Sequence, residues 1–201
     1  MALKYAVNNS LSAITSLPSG ISGGALNLIS TQTASGSASI SFTSGIDSTY
    51  DSYVFKFINI HPATDNVQFQ FNLSTDSGSN YNVTKTTTDF AAYHNESDTA
   101  TNLYYDLFFD LAQSTSDQIF GRSIGNGSDE SLCGTFQLFN PSSTTFVKHF
   151  IARCNYYYEN NLTFDEYVAG YGNTTSAVNA VIFRMSSGNI DDGIIKMYGV
   201  S

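Results

Sequence analysis

The stretch Ser52–Ser74, SYVFKFINIHPATDNVQFQFNLS, constrains the fold of this chain more than any other. In its second half Val67, Phe69, Phe71 and Leu73 alternate with Gln68, Gln70 and Asn72. Successive side chains on a strand point to opposite faces, so this segment reads as a strand with one apolar and one amide-rich face. The first half sets Tyr53, Phe55 and Phe57 on one side and Val54, Ile58 and Ile60 on the other, with Lys56 between them. Apolar on both faces, it is expected to be the more buried arm. His61–Asn66 supplies Pro and Asx turn chemistry, which predicts a β-hairpin, and Pro62 has no amide hydrogen to continue the pairing.

The rest of the chain repeats this pattern. Short strands are expected at 25–31 and 37–43, around a Thr33-Ala34-Ser35-Gly36 turn, with one or two irregular strands across 81–100. A strong strand is predicted over Leu103–Leu111, with Leu103, Tyr105, Leu107, Phe109 and Leu111 on one face and Tyr104 and Phe108 behind. Further strands follow at Cys133–Phe139, Thr145–Tyr157, Leu162–Ala169, Val178–Met185 and Ile190–Tyr198, separated by Gly, Asn and Ser turns. About ten strands and no long helix predict an all-β fold, an antiparallel β-sandwich or jelly roll. An up-and-down barrel fits the uneven loops less well.

Residues 25–201 are long enough for one such domain. Residues 1–24 lack sustained periodicity and are broken at Pro18 and Gly23-Gly24. They read either as a frayed terminus or as an extended attachment arm ordered on a neighbouring subunit. In the second reading Leu3, Tyr5, Val7, Leu11, Ile14 and Leu17 are the assembly contacts.

Only 12% of residues are charged, so the polar surface must be built mainly from Ser, Thr, Asn and Gln. The net charge of −9 repels phosphate, which argues against nucleic acid as a partner. No apolar run approaches the ~20 residues that cross a bilayer, and no membrane insertion is expected. The opening residues lack the basic start and apolar segment of a signal peptide, so the expected site of synthesis is a cytoplasm. Cys133 and Cys154, without C-x-x-C spacing, are expected as reduced thiols.

No catalytic constellation emerges. His61, His94 and His149 are scattered, and no Ser or Cys stands in a nucleophile context. The acidic pairs Asp47/Asp51, Asp129/Glu130, Asp165/Glu166 and Asp191/Asp192 have the chemistry for calcium or for glycoside cleavage, but acids on turns are ordinarily just solvated. The reading is therefore no catalytic residue, no metal and no cofactor. The tyrosine clusters place phenols on both strand faces, which sends some outside the core. Tyr104, Tyr156 and Tyr158 are the candidate surface aromatics, suited to packing in a homo-oligomer or to stacking on a glycan.

Two segments carry a resemblance. Tyr50–Tyr81, YDSYVFKFINIHPATDNVQFQFNLSTDSGSNY, and the closing Met185–Gly199 stretch with its Ser186-Ser187-Gly188-Asn189-Ile190 turn cover about a quarter of the chain. Together they resemble uncharacterised virion structural proteins of tailed bacteriophages, especially marine and cyanobacterial ones. The resemblance implies a β-sandwich displayed on the particle, decorating or cementing the capsid or forming a short tail-fibre module that binds host surface glycans. The expected partners are other virion proteins and copies of the chain itself, as a homo-oligomer with a trimer favoured.

Overall fold

The computed structural model describes residues 26–201, so the expected arm and its anchors Leu3, Tyr5, Val7, Leu11, Ile14 and Leu17 lie outside the described residues. The described chain is all-β and antiparallel. Its strands are β1 (Asn27–Ser37), β2 (Ile40–Phe42), β3 (Ser52–Pro62), β4 (Val67–Ser74), β5 (Lys85–Asn95) and β6 (Thr101–Tyr105). They continue with β7 (Gln118–Ile124), β8 (Leu132–Phe139), β9 (Lys148–Tyr158), β10 (Leu162–Gly172), β11 (Ala180–Met185) and β12 (Ile190–Val200).

Main-chain pairing runs β1-β12-β3-β8-β9-β7-β4-β11-β2, and β10, β5 and β6 branch from β9 in that order. The path starts at β1 and ends at β2, consecutive in the chain, so it nearly closes into a barrel-like band. Its weakest joint is a single pairing, Ile124 with Tyr158, between β7 and β9. On one side of that joint lie eight paired strands, β1-β12-β3-β8-β9-β10-β5-β6, and on the other lie β7-β4-β11-β2.

The predicted hairpin is not one. β3 pairs with β12 and β8, whereas β4 pairs with β7 and β11. The turn at Pro62–Asn66 carries the chain across the core, so the apolar faces of the two arms meet instead of lying side by side. Phe57 contacts Phe69 edge-on at 5.2 Å between ring centroids, and Phe71 stacks on Phe120 at 4.5 Å. Phe183 of β11 sits at the hub, 5.1 Å from Phe57, 5.4 Å from Phe55 and 6.0 Å from Phe69. The second arm is at least as buried as the first, because Val54, Lys56 and Ile58 stay partly exposed.

Ile60 also changes side. Asn59 adopts φ 51°, and the opposing Gly193 adopts φ 125°, so both strands bulge at the same level. The shift turns Ile60 into the core, where it is fully buried. A Cβ on Gly193 would lie 2.7 Å from the Asn59 carbonyl oxygen, so glycine is the residue that fits there.

Other boundaries differ for local reasons. β1 runs through the expected Thr33–Gly36 turn because residues 27–37 pair along β12. Residues 85–95 form one long regular strand between β10 and β6. The strand expected over Leu103–Leu111 ends at Tyr105, where Asp106 turns inward and its carboxylate accepts the Phe108 amide at 2.8 Å. Strand β7, which contains Gly121 and Arg122, was not expected from its composition.

Phe183→Ala should cost about 3–5 kcal/mol, because the cavity would open where the rings of five strands converge. Urea denaturation checks this, and a loss below about 1 kcal/mol would mean that the ring is not central to packing.

Candidate functional site

Two features stand out, one on each side of the same strands. The first is the outward face of the eight paired strands. Strand register aligns Tyr105, Phe90, Tyr167, Arg153, Thr135, Lys56, Lys196 and Thr31 in one rung crossing all eight. Phe90 and Tyr167 stack at 4.8 Å with parallel rings, and the Arg153 guanidinium lies 4.9 Å from the Tyr167 ring while pairing bidentately with Asp165. The neighbouring rung, Thr88, Ala169, Ile151, Gln137, Val54, Tyr198 and Leu28, is smaller at its β5–β10 end. Beyond it stand Thr86, Tyr171 and His149. The short side chains leave a cleft of about 530 Å³, floored by Thr88, Ala169 and Ile151 and walled by Tyr171, His149 and Phe139.

This face is unusual for a chain of net charge −9. Among the described basic residues, Lys85, Arg122 and Lys148 are buried and Arg184 pairs with Asp117. The remaining three, Lys56, Arg153 and Lys196, all stand in the one rung. Lys56 and Lys196 are directly opposite each other, a like-charge pairing that disfavours the sheet, and neither forms an ion pair among the described residues. Lys56 leans over the Tyr198 ring at 5.5 Å.

The second feature is a buried ion cluster behind this face. Strand alternation turns Asp89 and Glu166 inward, next to outward Phe90 and Tyr167. There they meet Arg122 of β7. Arg122 Nη2 donates to Asp89 Oδ1 at 3.0 Å and Nε donates to Glu166 Oε1 at 3.1 Å, while Nη1 reaches Asp106 Oδ2 and, at 3.2 Å, the Tyr104 hydroxyl. Tyr156 donates its hydroxyl to Glu166 Oε2 at 2.7 Å, and the Phe109 ring lies 4.4 Å from the guanidinium. Asp89 is fully buried, and its Oδ2 has no hydrogen-bond partner among the described residues.

Three carboxylates around one guanidinium would leave two excess negative charges in a dry site, so the cluster favours retaining a proton. Burial, reinforced by Glu166, pushes the Asp89 carboxyl up to about 8 against the pull of Arg122. For Arg122, burial works against the charge, but the hydrogen bond to Glu166 together with the surrounding charges of Glu166, Tyr156 and Asp89 outweighs it and raises the guanidinium pKa. Nearby, burial lowers Lys85 to about 8, with its ammonium donating to Asn72 Oδ1 at 2.6 Å and the Val83 carbonyl at 2.9 Å.

The expected surface aromatics divide. Tyr156 is 1% exposed and belongs to the buried cluster, which corrects its assignment as a surface residue: inward alternation on β9 and the Glu166 acceptor hold it there. Tyr104 is half-buried against Arg122, and Tyr158 is half-buried and stacks on Phe164 at 4.9 Å. The outward aromatics of this face are instead Phe90, Tyr105, Tyr167, Tyr171 and the half-buried Tyr198. Of the acidic pairs, Asp165/Glu166 straddles the sheet, one residue facing each way. Asp129/Glu130 and Asp191/Asp192 come together around His61, whose Nε2 lies 3.1 Å from the Gly127 carbonyl oxygen. Among the described residues no group of three or more His, Cys, Asp or Glu is arranged to hold a metal.

Cys133 and Cys154 are both free, and cross-strand register explains why. Cys133 stands opposite Asn155, and Cys154 stands opposite Gly134, so the pleat directs the thiols to opposite faces. Burial raises the Cys154 pKa well above the ordinary thiol range. One thiol of the native protein, Cys133, should therefore react with an aromatic disulfide reagent, with the second appearing only on denaturation. Two rapid equivalents would contradict this placement.

The cluster also predicts a pH dependence. In the unfolded chain Asp89 loses its proton near the ordinary 3.8, whereas in the folded chain it holds it up to about 8. Unfolding then releases a proton, and the Asp89 contribution falls as pH rises from about 4 to about 8, by at most about 1.4 kcal/mol per unit. Asp89→Asn, which mimics the protonated acid, should remove that slope between about pH 5 and 7.5 and equal or exceed the native stability at the upper end. Equal slopes in both proteins would refute the shared-proton account.

No family model, curated protein or solved structure matches this chain.

Proposed function

We propose that this chain is a non-enzymatic structural protein of a bacteriophage particle, made in the host cytoplasm and displayed on the virion surface, with capsid decoration or cementing as its role. The observation that carries the reading is the outward face of the eight-strand array. It combines Phe90, Leu103, Tyr105, Ile151 and Leu28 in solvent with the accessible cations Lys56, Arg153 and Lys196. Such a face suits docking on acidic protein surfaces, including other virion proteins and further copies of the chain, and a trimer is the favoured oligomer. The resemblance of Tyr50–Tyr81 and Met185–Gly199 to phage virion proteins supplies the biological setting.

A two-layer reading of the fold belongs with this proposal. Strands β7-β4-β11-β2 lie as one layer over the longer array, and the contacts of Phe183 and Phe69 with Phe55 and Phe57 support a sandwich or jelly roll. The second functional reading is a short tail-fibre module that binds host surface glycans. The aromatic-walled cleft beside Tyr171 and His149 favours it.

Quantitative mass spectrometry of purified particles distinguishes the two. Capsid decoration predicts copy numbers in the hundreds, on the order of the major capsid protein. A dozen or so copies, together with a positive glycan array for the assembled protein, would transfer the assignment to the tail. Absence from the particle would overturn both readings.

A further inference from the structure

The turn after β6 presents two adjacent apolar side chains to solvent. Leu107 is 77% and Phe108 is 91% exposed, the most exposed large apolar residues described. The segment is anchored on both sides. Asp106 binds Arg122 through one carboxylate oxygen and accepts the Phe108 amide with the other. Phe109 packs on the guanidinium, Asp110 accepts the Tyr105 hydroxyl at 2.7 Å, and the Leu111 carbonyl accepts the Thr87 amide. The apolar tip is thus held out by a buried ionic anchor, which lowers the ordering cost of docking it.

An apolar receptor is present on the same molecule, in the cleft over Thr88, Ala169 and Ile151, with Ile151 55% exposed on its floor. We propose that the Leu107–Phe108 tip of one copy inserts into this cleft of a second copy, so that the outward faces mediate self-association. Three observations select a second copy as the occupant. Tip and cleft are both apolar, and each is left open by the described residues. The chain has net charge −9, yet this face carries Lys56, Lys196 and the Asp165-paired Arg153, so another copy brings the complementary sign, beginning with Asp110 at the base of the tip. The three rungs, of eight, seven and three residues, span roughly 600 Å² at ~4.8 Å between strands and ~6.8 Å between rungs, toward the ~800 Å² per partner of a stable complex. Because tip and cleft are different patches, the contact builds a two-fold dimer if exchanged reciprocally and a ring if passed head to tail.

This inference rests on the proposal of a self-associating surface protein, but its test needs no particle. Sedimentation velocity of the full chain at up to about 0.1 mM should show oligomers that dissociate as salt is raised. Leu107→Ser/Phe108→Ser, at exposed positions that leave the core untouched, should raise the dissociation constant at least about tenfold, and Ile151→Glu should do the same from the cleft side. Mixing the two variants should restore one-to-one association, because each retains the half the other lacks. A chain that stays monomeric at the highest concentration overturns the proposal, as do oligomers unaffected by the tip variant or a mixture that fails to associate. Phe108-dependent flotation of a monomeric chain with phosphatidylcholine vesicles would overturn it in favour of a membrane-inserting tip. None of these outcomes alters the copy number on particles, so failure here is distinguishable from failure of the virion assignment.

Discussion

The Arg122 guanidinium is the interaction on which the outer third of the molecule depends. β7 touches β9 through one backbone pairing, and β10, β5 and β6 extend beyond β9 as a branch of the main strand path. Arg122 spans that gap most widely, reaching Asp89 on β5, Glu166 on β10 and Asp106 after β6, and it is joined by the Gln118–Thr87 and Asn72–Lys85 hydrogen bonds to β5. Replacing such a cluster by well-packed apolar groups can be neutral, but removing one partner leaves an uncompensated buried charge. The arrangement therefore gives position more than stability: it fixes which face of β5 and β10 looks outward, and so where Phe90, Tyr167 and the neighbouring cleft are presented.

The phenylalanine cluster does the complementary work. Phe55, Phe57, Phe69, Phe71, Phe120, Phe136 and Phe183 are all fully or nearly fully buried, contributed by β3 and β8 on one side and by β4, β7 and β11 on the other. Ring contacts are short-range and non-polar, so they join the two groups of strands without demanding backbone pairing between them. That tolerance lets the path stay nearly closed with only a single pairing at the β7–β9 joint.

The sequence made the strands legible and left their partners obscure. Alternation at Val67–Leu73 gave both the strand and its buried face correctly, because period-two patterning reports one strand's burial directly. The same pattern says nothing about pairing, and Pro62–Asn66 suits an arch across the core as well as a hairpin, so β3 and β4 read as a pair that the fold does not make. The site was harder still. Arg122 lies in QIFGRSI, where glycine and arginine weaken the strand signal, and Asp89, Asp106 and Glu166 read as ordinary polar residues. Their meaning arises only when four distant segments converge. The tyrosine doublet and triplet correctly implied phenols on both faces, but not that Tyr156 would point inward into the ion cluster. A useful signal was the scarcity of cations: with so few, each buried Lys or Arg is more informative.

The inward turn of Asp106 has one more consequence. β6 is the terminal strand of the branch, and a long open strand there would offer unpaired amides and carbonyls to any passing chain. It spans only Thr101–Tyr105 before Asp106 takes the backbone out of register and ties it to the interior. The residue that secures the cluster also truncates the template for runaway strand addition, which matters for a protein whose surface is otherwise rich in exposed apolar side chains.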